Sequence, residues 1–295
     1  MKPHTATAPL TVALAALALA ALALAAGPAA ADPPLSASYQ LQDAGHDLDA
    51  PVALVVVTPG MDPAAFQPMV QALEEAGLDA WAVRVTLHAP LPSADADIWI
   101  ASTLLPAAVA TLREREPKAQ DLALVGHGPG GTLALMMAQH VRPGAVAVLG
   151  PPVGPVDTAA LAWLAQRQLP TAGNVDLTDP LQWQGHDMAS LLLGDPPPAL
   201  APLSVDLARA WLSWASEGPP LALDSIACPV WIGAAAMDRL VPIESLRVAS
   251  QELPDRQFVR FGLLRLDPED PGSADLLREK RYLNVMAGWV SDVLD

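Results

Sequence analysis

Seven consecutive residues, Pro51–Val57 (PVALVVV), carry no polar side chain, and the run stops at Thr58-Pro59-Gly60, a turn signal. A strand with one wet face alternates apolar and polar residues; this one does not, so it is expected to be buried on both faces, as strands of parallel sheets are. Such a strand needs helices on either side of its sheet, and the following sequence supplies the rhythm. Ala64–Gly77 has Phe66, Met69, Val70 and Leu73 at helical spacing and a stop at Gly77. Asp79–Val85 reads as a strand, Ile98–Arg115 as a helix that Pro106 kinks, and Asp121–Val125 as a strand. Thr132–His140 reads as a helix and Ala145–Gly150 as a strand. Residues 155–225 break the pattern, being rich in proline and tryptophan (Trp163, Trp183, Trp211, Trp214) with helical stretches and no strand. Strand Cys228–Ala234, helix Pro242–Leu253, strand Gln257–Phe261 and helix Asp275–Leu294 then resume it. The expected fold is α/β: a mostly parallel central sheet with flanking helices, right-handed crossovers and an inserted helical cap. The cap is expected over the carboxyl edge of the strands, where open α/β sheets bind ligands.

Composition narrows the function classes. The 295 residues are 52% apolar, enough for a large core, and carry a formal net charge of −16. Such a chain repels phosphates and offers few cations for counterion release, so no nucleic-acid partner is expected. The single cysteine, Cys228, excludes an internal disulfide and a thiolate metal site, and it reads as a small core residue. His46, His88, His140 and His186 lack metal-ligand spacing, so no metal and no cofactor are expected. At the N-terminus Lys2 precedes an uncharged Ala/Leu run, Thr11–Ala26, then Gly27-Pro28 and Ala29-Ala30-Ala31. This order reads as a signal peptide cleaved after Ala31; the alternative is an uncleaved anchor. The expectation is an exported protein, periplasmic or extracellular, with no stable membrane span after cleavage. Its segments are a signal peptide at 1–31, a first core half at 32–154, a cap at 155–225 and a second core half at 226–295.

The most specific stretch is Leu122–Met137, LALVGHGPGGTLALMM, where a strand runs through Gly126-His127-Gly128-Pro129-Gly130-Gly131 into an apolar helix. It resembles the α/β-hydrolase superfamily, whose nucleophile elbow has the form G-x-S-x-G at this turn. Gly126, Gly130 and Gly131 suit a strained backbone with close strand–helix packing. The resemblance implies that Thr58-Pro59-Gly60-Met61 falls at the oxyanion loop and that 155–225 is a cap. It also places Asp238, in Gly233–Pro242 (GAAAMDRLVP), at the triad acid, and Ser273, in Gly272–Leu277 (GSADLL), at the catalytic histidine.

The departures from the family pattern carry the functional reading. The nucleophile position is Gly128, which has no side chain. The next residue, whose N–H should face the oxyanion, is Pro129, which has none. Ser273 stands at the histidine position, and no histidine follows His186. Losing a triad member costs on the order of 10⁴–10⁶ in turnover, and losing one oxyanion donor about 10²–10³. The expectation is a pseudo-hydrolase that binds a small apolar ligand or a protein partner. His127 is expected to pack or hydrogen-bond beside the elbow, and Asp238 to form a turn rather than catalyse. One alternative is an active esterase- or lipase-like hydrolase of carboxylic esters with a displaced nucleophile. Another is nucleotide binding, because Gly126-x-Gly128-x-x-Gly131 matches G-x-G-x-x-G between strand and helix. Against that, two strand–helix units precede the loop, and the next strand ends Leu149-Gly150-Pro151-Pro152 without the acidic residue.

Overall fold

The computed structural model describes residues 50–84, 118–156, 214, 218–235, 238, 240–253, 259–264 and 276–295. The expected signal peptide, the helix at 98–115 and Ser273 lie outside them. Of the 155–225 block, 155–156, 214 and 218–225 are described. Six strands form the sheet: β1 (Val52–Val57), β2 (Asp79–Arg84), β3 (Leu122–His127), β4 (Ala145–Leu149), β5 (Val230–Ala235) and β6 (Val259–Leu264). Their spatial order is β2-β1-β3-β4-β5-β6, with every pairing parallel.

All six residues of β1 are buried, as an uninterrupted apolar run requires. The period-2 alternation of side chains divides the core in two. Leu54, Val56, Leu124, Val146, Val148 and Ile232 face α2 (Pro129–Val141) and α3 (Ile243–Glu252). Val55, Val57, Val125, Ala147, Leu149 and Trp231 face α1 (Gln67–Glu75) and α4 (Lys280–Leu294). Trp214, from the proline-rich block, is fully buried in the first of these clusters with Val156 and Leu223.

The boundaries differ from sequence expectation at identifiable places. β3 continues through Gly126 and His127, and α2 begins at Pro129 rather than Thr132. Glycine and proline punctuate loops in a sequence, but here proline holds the first helical position, where its missing N–H costs no hydrogen bond. α4 begins at Lys280 because Glu279, with φ −81° and ψ 87°, is not helical. Pro229 delays β5 by two residues relative to Cys228: it cannot donate to the ladder and only accepts, through its carbonyl, from Val146 N at 3.0 Å.

The C-terminal helix is anchored by aromatics. Trp231 on β5 meets Tyr282 and Trp289 of α4, with ring centroids 6.4 and 5.7 Å away. Tyr282 donates its hydroxyl to Gly262 O at 2.7 Å. Gly233 and Gly262 are register partners, and a Cβ on either would stand 2.7 or 2.8 Å from that hydroxyl. Both glycines therefore make room for the ring.

Burial pushes the Tyr282 hydroxyl from its ordinary 10.0 up to about 12, and the Cys228 thiol from 9.0 up to about 12. A raised folded-state pKa means that the unfolded chain loses these protons first as pH rises. The stability associated with keeping them neutral is complete below about pH 9 and is lost between there and pH 12. Urea midpoints at pH 8, 10 and 11 should fall progressively, and Cys228→Ser with Tyr282→Phe should flatten the decline.

Candidate functional site at the elbow

Parallel strands place all their carboxyl ends on one edge, and the sequence-identified residues follow those ends. Thr58 follows β1, Gly128 follows β3, Gly150 follows β4, and Asp238 lies three residues beyond β5. His127, Leu149, Gly233 and Gly262 stand in register across β3 to β6, which aligns the ends of β3 and β4 with Gly233, two residues before β5 ends.

Between β3 and α2 the chain turns at Gly128, with φ 53° and ψ −134°. This is left-handed territory that side chains rarely tolerate, and glycine enters it without steric penalty. A glycine could equally relax away from it, so its neighbours must hold it there. Gly128 N donates to Leu149 O at 2.8 Å, extending the β3–β4 ladder by one bond. Gly128 O accepts from Gly131 N at 2.9 Å and Thr132 N at 3.2 Å, starting the helix. Thr132 in turn donates its hydroxyl to Pro152 O at 2.7 Å, tying the loop after β4 to the helix.

Close packing fixes the same turn. A Cβ on Gly126 would lie 2.6 Å from Gly130 O and 2.7 Å from Gly131 Cα. A Cβ on Gly130 would run into the backbone of Val56 and Thr58, and one on Gly131 would approach Gly126 O to 3.2 Å. The three glycines thus let α2 lie directly on β3 and β1.

The oxyanion-loop positions form a closed turn. Met61 N donates to Thr58 O at 3.0 Å, with Pro59 second and Gly60 third at φ 77°, the residues and the sign of φ that a type II turn requires. Asp62 then caps the next turn, its Oδ1 accepting from Ala64 N at 2.9 Å. Thr58, 1% exposed, joins this loop to the elbow: its hydroxyl donates to His127 O and accepts from Gly130 N at 3.4 Å. The resemblance places Thr58 in the oxyanion loop without assigning its hydroxyl a role. The signal present in the sequence was a hydroxyl at the end of a strand buried on both faces, which must find partners.

The remaining positions have structural partners. His127 is 3% exposed and meets Phe66 edge-on, with centroids 6.2 Å apart. Asp238, 8% exposed, accepts through Oδ1 from Leu240 N at 2.8 Å and Val241 N at 3.0 Å, the geometry of an Asx turn that shapes the approach to α3. Among the described residues no three His, Cys, Asp or Glu side chains gather where a metal ion could sit. No described helix is long and apolar enough to cross a membrane.

Two substitutions separate conformation from packing at the elbow. Gly128→Ser should fold but lose about 1–3 kcal/mol for placing a side chain at positive φ. Gly130→Ala should lose a similar or larger amount, because its Cβ meets backbone rather than a movable side chain. Thermal unfolding of both variants checks this; a Gly128→Ser variant as stable as the parent would show that the turn relaxes in solution.

No protein-family model matches the sequence, and no curated protein matches it. Solved structures do match its fold. A carboxylesterase of the thaumarchaeon Nitrososphaera gargenis superposes with a TM-score of 0.59 at 14% identity, covering 90% of this chain and 98% of that one. The enol-lactonase of Burkholderia xenovorans gives 0.56 at 14% identity, covering 86% and 95%. A thermophilic esterase of Thermogutta terrifontis gives 0.52 at 15% identity, covering 88% and 94%. With the parallel sheet, the elbow between β3 and α2, and the acid-bearing loop after β5, these likenesses identify the fold: the chain is an α/β-hydrolase-fold protein.

Proposed function

We propose that this is an exported pseudo-hydrolase, which binds a small apolar ligand or a protein partner and has no ester-hydrolase chemistry. The observation that carries the reading is the pair at the elbow. Gly128 stands at the turn where the fold presents a nucleophile and offers no side chain, and Pro129 starts the helix with no N–H for an oxyanion. The site is thus without an attacking atom and without one of its two usual donors. Asp238, the remaining triad position, uses Oδ1 to shape its own loop.

A second reading has an observation of its own. Gly128 holds an elbow conformation that a catalytic side chain would need, and the fold neighbours are carboxylesterase-type hydrolases. An active hydrolase of carboxylic esters would then require a nucleophile displaced from the elbow. Nucleotide binding has less support. A phosphate at this glycine loop would need the first amides of α2, but Pro129 has none, Gly130 N faces Thr58 and Gly131 N is bonded to Gly128 O.

The purified protein should not hydrolyse short p-nitrophenyl esters above background, and fluorophosphonates should label no single serine. Stoichiometric labelling of one serine would establish the displaced-nucleophile reading instead. Gly128→Ser alone should stay inactive, since a serine without a base is a poor nucleophile. Activity should first emerge when Gly128→Ser, Pro129→Gln and Ser273→His are combined, a strongly non-additive result.

Ligand binding is tested separately. A lipophilic ligand at 100 times its Kd stabilises by about 2.7 kcal/mol, several degrees in Tm. A thermal-shift screen of fatty acids, esters and acyl conjugates should find such a shift. A screen with none leaves the protein partner as the form of this reading to pursue.

A further inference from the structure

We propose that the outer face of α4 is a docking surface for a second copy of this chain, paired antiparallel across a two-fold axis. The helix buries Leu283, Met286, Ala287 and Val290 in the core. At 3.6 residues per turn the opposite face carries Arg281, Val285, Gly288 and Asp292, the spacing of a seam between two packed helices. Val285 is 56% exposed, and a Cβ on Gly288 would meet nothing within 4 Å, so the seam has a knob beside an open notch. The order of these residues is self-complementary. A two-fold axis at the level between Met286 and Ala287 sets Arg281 against the partner's Asp292 and Val285 against the partner's Gly288. Each contact then occurs twice, as an isologous interface requires.

Two features weaken α4 on its own, and this pairing offsets both. Helices favour acids at the N-terminus and cations at the C-terminus, yet α4 has no acid in its first turn and no base in its last. Arg278, Lys280 and Arg281 gather at its start around the single acid Glu279, while Asp292 and Asp295 stand at its end. Lys280 pairs with Glu75 at 3.2 Å; among the described residues Arg281 and Asp292 have no ion pair. Antiparallel docking lays each cationic end over the partner's acidic end, sets Arg278 against the partner's Asp295 on the same axis, and opposes the two macrodipoles. The second feature is Gly288, which lowers helix propensity although no neighbour within the chain needs its small size. In the pair it receives the valine. A net charge of −16 repels a second copy at long range, so a self-docking surface must carry its own cations, and three of the chain's 16 Lys+Arg lie within 278–281. None of this depends on the chemistry of the elbow.

Sedimentation equilibrium of the full chain at about 0.15 M salt, where charges beyond about 8 Å are screened, tests this. The mass should rise from one copy to two as the concentration approaches about 100 µM. Gly288→Glu fills the notch where the chain has room for a side chain, so it should unfold at the parent temperature or above while staying single at every concentration. Arg281→Asp places an acid where the helix dipole favours one, so Tm should hold or rise, yet the dimer should weaken about tenfold or more because acid then faces acid at two symmetric points. Adding Asp292→Arg to Arg281→Asp should bring the dimer back, since the swap reverses both sides of each pair. A parent that stays single throughout overturns the proposal. So does a dimer indifferent to both single variants, as one held by the apolar run Thr11–Ala26 would be. A dimer lost with Arg281→Asp and not regained in the swapped double variant overturns the antiparallel pairing. The pseudo-hydrolase reading turns on ester turnover and serine labelling, which none of these outcomes touches.

Discussion

The first turn of helix α2 lies so close to β3 and β1 that no side chain fits between them, and the rest of the structure follows from that approach. The positions at the contact are Gly126, Gly130 and Gly131, and a Cβ on Gly126 or Gly130 would meet backbone that cannot move aside. With the helix this near, the chain has one residue, Gly128, in which to pass from strand to helix, and that residue takes a left-handed conformation. Close approach also covers one face of the sheet centre with the apolar side chains of α2, while α1 and α4 cover the other. β1 can then be wholly apolar, and its terminal hydroxyl, Thr58, is delivered to the elbow with nowhere to bond except the elbow's own backbone.

The elbow's shape is therefore a property of packing rather than of catalysis. Neither the ladder bond from Gly128 N to Leu149 O nor the helix-starting bonds to Gly128 O involve a side chain at 128. Under the proposed reading this explains how a hydrolase fold can keep its characteristic turn with glycine at the nucleophile position. The physical requirements of the turn and those of the reaction meet at the same residue but do not depend on each other.

Much of this was legible in the sequence because the relevant signals are local. PVALVVV announces a strand buried on both faces, and the Phe66–Leu73 spacing announces α1. The glycines of the elbow mark close approach, though their loop-like composition hid the fact that β3 and α2 extend into them. What was not legible depends on distance along the chain. Thr58 is 69 residues from His127, and only folding shows that its hydroxyl reaches the elbow. Gly233, 29 residues before Gly262, reads as an ordinary strand glycine until Tyr282 is seen to lie against both. The turn-forming role of Asp238 was readable from Asp238 and the residues just after it, because Asx turns are made by near neighbours.

On the pseudo-hydrolase reading proposed above, the residues that set this elbow apart from a catalytic one share a direction: each relieves a local cost. Glycine at 128 occupies positive φ without the strain that serine would carry there, about 1–3 kcal/mol. Proline at 129 fixes φ where the helix needs it and removes an amide that would otherwise require a partner at the helix start. Thr58 gives Gly130 N an acceptor and His127 O a donor. Catalytic sites hold the opposite: a strained nucleophile, and amides left unfilled until substrate arrives, both of which weaken the fold for the sake of the transition state. On that reading, a site in which these tensions have been relaxed together has the character of a scaffold.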